Sequence, residues 1–223
     1  ILQPDCLERM WEVLDQNPKV GAVTATITNQ GYHRPGRFAK HVFAFLNGQA
    51  LPTYAGKCFG PGLTQLPEDS PNLPELVAVD WMGTGCTLYR KAALPDPPFS
   101  KLFSGASLCE DLTLSLLIGK EWELINPRLA RVFHAMAGGD HKRSEINLAQ
   151  MELINRYFVL TRILEKRTLT DHVKFGFMMT YFTLGRFLQP GGWRIAIPRL
   201  CGFCLATVRL TLGSPFKAAR ACT

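Results

Sequence analysis

The last third of this chain is short of acid. Residues 142–223 hold 13 Lys and Arg against 4 Asp and Glu, a balance of +9, whereas residues 1–141 balance at −2. The net charge of +7 therefore resides entirely in the C-terminal part, which is also rich in Phe, Leu and Met. No nucleic-acid-binding motif accompanies the charge, and a duplex would not need so much apolar surface, so nucleic acid is not the expected partner. Basic and apolar residues together point instead to an anionic membrane surface. The secretory pattern of basic start, apolar centre and small cleavage residues is missing. The seven cysteines are an odd, scattered set rather than a disulfide framework, which fits buried reduced thiols. Cys201-Gly-Phe-Cys204 has redox or half-zinc spacing, but no second close Cys/His pair follows it. Gly83-Thr84-Gly85 lacks the third glycine and the following helix of a phosphate loop, so it reads as a turn permitting close backbone approach.

What is present alternates between helix and strand. Leu7, Met10, Trp11 and Leu14 repeat at helical spacing over Pro4 to Leu14, and Asn17-Pro18 ends that pattern. Val20 to Ile27 reads as a buried strand. A long irregular connection rich in Pro and Gly then occupies Asn29 to about Pro74. Val77-Ala-Val leads into Asp80 and Trp81, the Gly83–Gly85 turn, and a short apolar segment ending in Arg90. The expected class is α/β.

Glu110 and Asp111 stand at the mouth of an apolar helical run, Leu112 to Ile118. Acids in a first helical turn are favoured by the helix dipole at about 0.3–1 kcal/mol each, which alone accounts for them. Their neighbours add a second reading. Downstream, Glu121 to Asn126 reads as a strand, Pro127 breaks it, and a second short strand ends in His134.

The series from strand to glycine turn and Arg, then Glu-Asp opening a helix, then strand ending in His, resembles the acceptor half of family 2 glycosyltransferases over about Ile1 to Leu164. The resemblance implies a partial GT-A, Rossmann-like mixed sheet with flanking helices. It also implies that the family's Asp-x-Asp metal motif and nucleotide-binding half precede Ile1, so that this portion alone is nearly inactive. By the same resemblance Asp111 is the general base and Glu110 shapes the acceptor site, with partial burial raising the Asp111 pKa. Asp80, Trp81 and Gly83 would line the sugar and acceptor. Arg90 would pair with an acid near the site or cap a strand end. Arg143, beside Lys142, would neutralise diphosphate oxygens. His134 would complete a Mg²⁺ or Mn²⁺ site, or else simply bond to backbone at a strand end. The implied substrates are a nucleotide-sugar donor and a saccharide or lipid-linked acceptor. Gln-x-x-Arg-Trp, the signature of processive synthases, is missing from 112–223, and Phe99-Ser100-Lys101 replaces the usual Phe-Asp-Glu. Single-sugar transfer, with inversion, is the expectation.

Residues 144–223 read as a helical, membrane-associated extension of the 1–143 domain. A long helix fits Glu145 to about Glu165, and apolar segments follow at 173–188 and 195–212. A bilayer core needs about 20 predominantly apolar residues, and Pro198, Arg199 and Arg209 interrupt the second segment. In-plane helices at the cytoplasmic face are therefore expected, with a buried helical hairpin as the alternative. The rival functions are a non-catalytic membrane-surface module, and a redox or zinc protein built on Cys201 and Cys204.

Overall fold

The computed structural model describes residues 1–30, 35–66, 72–103, 108–135 and 144–213. They form two compact units. One comprises Ile1–Gly60, Thr64–Pro98 and Asp111–Met136; the other comprises Pro61–Leu63, Phe99–Glu110 and Ala137–Thr223. The second unit thus takes in short stretches that precede the 143/144 boundary read from sequence.

The first unit begins with α1 (Cys6–Gln16), whose Cys6, Met10 and Leu14 are buried at helical spacing. It continues through β1 (Val20–Thr24), β2 (Thr26–Ile27), α2 (Arg37–Asn47), β3 (Lys57–Phe59), β4 (Thr64–Leu66), β5 (Leu76–Ala78) and β6 (Thr87–Tyr89). Helix α3 (Glu110–Ile118) then leads to β7 (Glu123–Pro127) and β8 (Arg131–Val132). Strands β5-β7-β1-β6 make a mixed four-stranded sheet in which only the central pair, β1 and β7, runs parallel. β2 pairs with β8, and β3 with β4. The chain is α/β with a mixed sheet and flanking helices, as the alternation of apolar segments suggested.

The β1–β7 register slips between Val20 and Ala22. Without the slip, Val20 and Ala22 would share a face; with it, Val20 and Val23 join α1 on one side. Ala22 joins Leu114 and Ile118 of α3 on the other side, with Leu124 of β7. At the slip, a side chain on Gly21 would lie 2.6 Å from the Trp122 Cβ, so only glycine fits.

In the second unit α4 (Glu145–Phe158) runs on into a π-helical turn, Val159–Ile163, and α5 (Leu169–Leu184) and α6 (Trp193–Thr211) follow. Helix α5 opens with a reciprocal cap. Thr168 accepts from the Asp171 amide at 3.2 Å, and Asp171 accepts from the Thr168 amide at 3.0 Å. Gly202 lets α6 approach α4 so closely that a Cβ there would sit 2.4 Å from the Ile146 carbonyl oxygen. Arg199 adds ion pairs to Glu145 and Glu152. The Asn155 amide donates to the Leu108 carbonyl at 2.7 Å, and the Phe103 ring meets Phe158 edge-on at 6.0 Å. Those contacts hold Phe103 and Leu108 to α4. Among the described residues no helix is long and apolar enough to cross a membrane.

Candidate functional site

A pocket of about 190 Å³ opens within the α/β unit at the carboxyl ends of the parallel strands β1 and β7. That is where ligands bind in open α/β sheets. Its wall includes Asp111, Trp81 and Gly83, three of the residues singled out from sequence, together with Asn126 and Arg128.

Asp111 owes its place to α3. The Leu112 amide donates to its Oδ1 at 2.8 Å, and Ser115 one turn on donates its hydroxyl to the Asp111 carbonyl at 2.7 Å. The same Ser115 Oγ accepts the Met82 amide at 3.0 Å. One buried hydroxyl therefore fixes the first turn of α3 against the Trp81–Gly83 segment. Asp111 also acts on Tyr89. Burial pushes the Tyr89 phenol up, and the Asp111 charge adds to that against a hydrogen bond with Thr87.

Asn126 bridges the point where β1 gives way to β2. It donates to the Thr24 carbonyl at 2.8 Å and accepts the Thr26 hydroxyl at 3.2 Å. Arg128 donates to the Leu73 carbonyl at 2.9 Å. The Trp81 indole N–H is shielded and has no acceptor among the described residues. Cys86, also on the wall, interacts with the Cys6 thiol; burial pushes Cys86 up, so it stays a thiol at neutral pH and is a poor nucleophile.

The other sequence-derived residues are placed elsewhere. Glu110 is half-buried and does not line the pocket. The Asp80 carboxylate binds Lys57 at 3.2 Å and accepts the Cys58 amide at 3.1 Å, anchoring β3. Arg90 donates to carbonyls of Leu14, Val20 and Asn17, tying the end of α1 to the start of β1, the capping alternative of its two readings. His134 lies against the glycine turn: a Cβ on Gly85 would be 3.4 Å from its Nε2. Its backbone is clamped by Asn29, which donates to the His134 carbonyl at 2.9 Å and accepts its amide at 3.0 Å. The ring Nδ1 is shielded and has no partner among the described residues. Arg143, with His141 and Lys142, lies outside the described residues.

No three His, Cys, Asp or Glu side chains converge among the described residues. His134 alone does not make a Mg²⁺ or Mn²⁺ site, and no chemistry is assigned through one. Cys201 and Cys204 are exposed free thiols on α6.

Sequence reasoning missed Asn126, Arg128 and Ser115. Asn126 and Arg128 flank a proline at the end of an apolar strand, a position that carries signal once the strand is known to be parallel. Ser115 had none, being a small polar residue inside an apolar helix. The chain matches no family model, no curated protein and no solved structure.

Proposed function

We propose that this chain is the acceptor-side part of a family 2-like glycosyltransferase that moves one sugar from a nucleotide-sugar donor to a hydroxyl acceptor. The observation that carries the reading is Asp111 at the head of α3, sharing one pocket with Trp81 and Gly83. Asp111 is the general base: its carboxylate takes the acceptor proton as the oxygen bonds to the anomeric carbon and the diphosphate leaves. Ser115 sets its position. Trp81 adds aromatic surface to the wall that holds the acceptor beside Asp111.

In the full-length enzyme, Asp111→Asn should lower kcat by about 10²–10⁴-fold with the donor KM little changed. Full transfer by that variant removes Asp111 from the mechanism.

A second reading, a membrane-surface module, is favoured by the helical unit. Leu169, Leu188 and Leu212 are 80, 89 and 76 % exposed, with Val173, Phe187 and Trp193 also exposed nearby in sequence. Exposed Arg162, Lys166, Arg167, Arg186, Arg194 and Arg209 are interspersed with them. Such a surface suits peripheral attachment to an anionic bilayer without spanning it, and on this reading the cytoplasmic face is the proposed location. Sedimentation with vesicles containing phosphatidylserine, lost in vesicles of phosphatidylcholine alone, is the expected result. Equal binding to neither sinks the membrane assignment and leaves the pocket argument intact.

A further inference from the structure

We infer, resting on the transferase reading, that the acceptor is a hydroxylated lipid whose aliphatic chain fills the pocket and whose hydroxyl faces Asp111. The wall is the reason. Ile27, Leu73, Val77, Val79 and Met82 are among the residues that line it. Of the polar side chains there, Thr24, Thr26, Asn126 and Arg128 are turned to protein partners. The Thr24 hydroxyl donates to the Cys86 carbonyl at 3.3 Å and accepts from Thr87 at 3.1 Å; Thr26 and Asn126 bond each other. A sugar seated against this wall would lose water from several hydroxyls and regain few hydrogen bonds, which is unfavourable at each unmatched group. An alkyl chain loses nothing there and gains burial.

The volume agrees. About 190 Å³ is below the roughly 300 Å³ at which pockets for whole drug-sized ligands begin, and suits a short length of chain beside one polar head. Asp111 supplies the acceptor for one hydroxyl proton. The Trp81 N–H, without an acceptor among the described residues, is the donor proposed for that hydroxyl oxygen. In the reaction the lipid oxygen bonds to the anomeric carbon, the bond from that carbon to the nucleoside diphosphate breaks, and the proton passes to Asp111.

The test labels the four tryptophans with 5-fluorotryptophan, assigns Trp81 through Trp81→Phe, and titrates the full-length protein with 1-octanol and with methyl β-glucoside. Saturable movement of the Trp81 fluorine resonance by 1-octanol alone is expected. Affinity should tighten about fourfold per methylene from 1-butanol upward until the pocket is full. Ile27→Phe and, separately, Leu73→Phe should weaken it at least tenfold while the Trp122 resonance stays in place, which reports that the fold survives. A Trp81 resonance unmoved by octanol, moved as much by the glucoside, or outpaced by Trp193 on the exposed helices, overturns the inference. Failure here with transfer still lost in Asp111→Asn leaves the transferase reading standing. Octanol binding in an enzyme that transfers no sugar does the reverse, keeping a lipid pocket and removing the transferase.

Discussion

The α/β unit and the helical unit dispose of their apolar side chains in opposite ways. The first covers both faces of its central strand, with α1 over Val20 and Val23 and α3 over Ala22, and directs its polar side chains to backbone carbonyls at strand ends. The second packs α6 on α4 in a close seam and buries one face of α5, but leaves large side chains in solvent along α5 and α6. A central strand is enclosed on two sides by construction, so its burial follows from its place in the sheet. A helix has one face toward its partner, and any apolar residues beyond that face stay exposed until something else covers them.

The comparison can be broken most forcefully at the seam. Gly202→Val places methyl groups where even a Cβ is 2.4 Å from the Ile146 oxygen, and should destabilise the helical unit by about 3 kcal/mol. Hydrogen exchange should quicken in α4 and α6 while β1 and β7 keep their protection. Equal loss in both means that the two units unfold as one. Next in size, Ser115→Ala leaves the buried Met82 amide without its acceptor and should cost the α/β unit about 1–3 kcal/mol by urea denaturation. It should also weaken the Asp111-dependent activity; unchanged turnover would show that Asp111 holds its position unaided. Thr168→Ala removes the cap of α5 and should cost about 1 kcal/mol, read as fraying of that helix alone.

The two units should also differ in the pH at which they weaken. The Tyr89 phenol is pushed up in the folded protein, so folding favours its neutral form. Its share of stability is complete below pH about 10, the unfolded value, and is lost as pH rises through the folded value. For Asp171, slight burial pushes the carboxyl up, but hydrogen bonds from Thr168 with Lys166 and His172 nearby outweigh it and hold it below the usual carboxylate range. That stability is present above pH about 4 and declines as pH falls through the folded value. Urea midpoints followed from pH 8 to 11 should drop less in Tyr89→Phe, and those followed from pH 5 to 2 should drop less in Asp171→Asn. The absence of either difference removes the corresponding interaction.

Local pattern carried the elements well. The Asn17-Pro18 stop, the Glu110-Asp111 helix start and the Pro127 break all lie within a few residues of where α1 ends, α3 begins and β7 closes. Helix α2 lies inside the stretch read as an irregular connection from Asn29 to about Pro74, because Gly36 before it supplies no side-chain cap to mark its start. The site was legible where a residue's neighbours in sequence are also its neighbours in space: Trp81 and Gly83 reach the pocket from one short segment. Asp80 and Arg90 illustrate the opposite case. Both carry charges that look available in a linear reading, yet each is bound to partners set by long-range contacts, Lys57 for one and the Leu14, Asn17 and Val20 carbonyls for the other. Sequence separation of 23 to 76 residues hides such partners from any local pattern.

The close approach at Gly202 has a bearing on descent. A mutation that adds a side chain there meets backbone at Ile146, which no change at position 146 can remove, because every residue has a carbonyl. The site cannot be rescued by a compensating substitution across the seam; only a shift of the whole helix would make room. Homologues that keep this helix pair should therefore carry glycine at the matching position even after their surfaces have diverged, which makes that residue a lineage marker where overall similarity has faded.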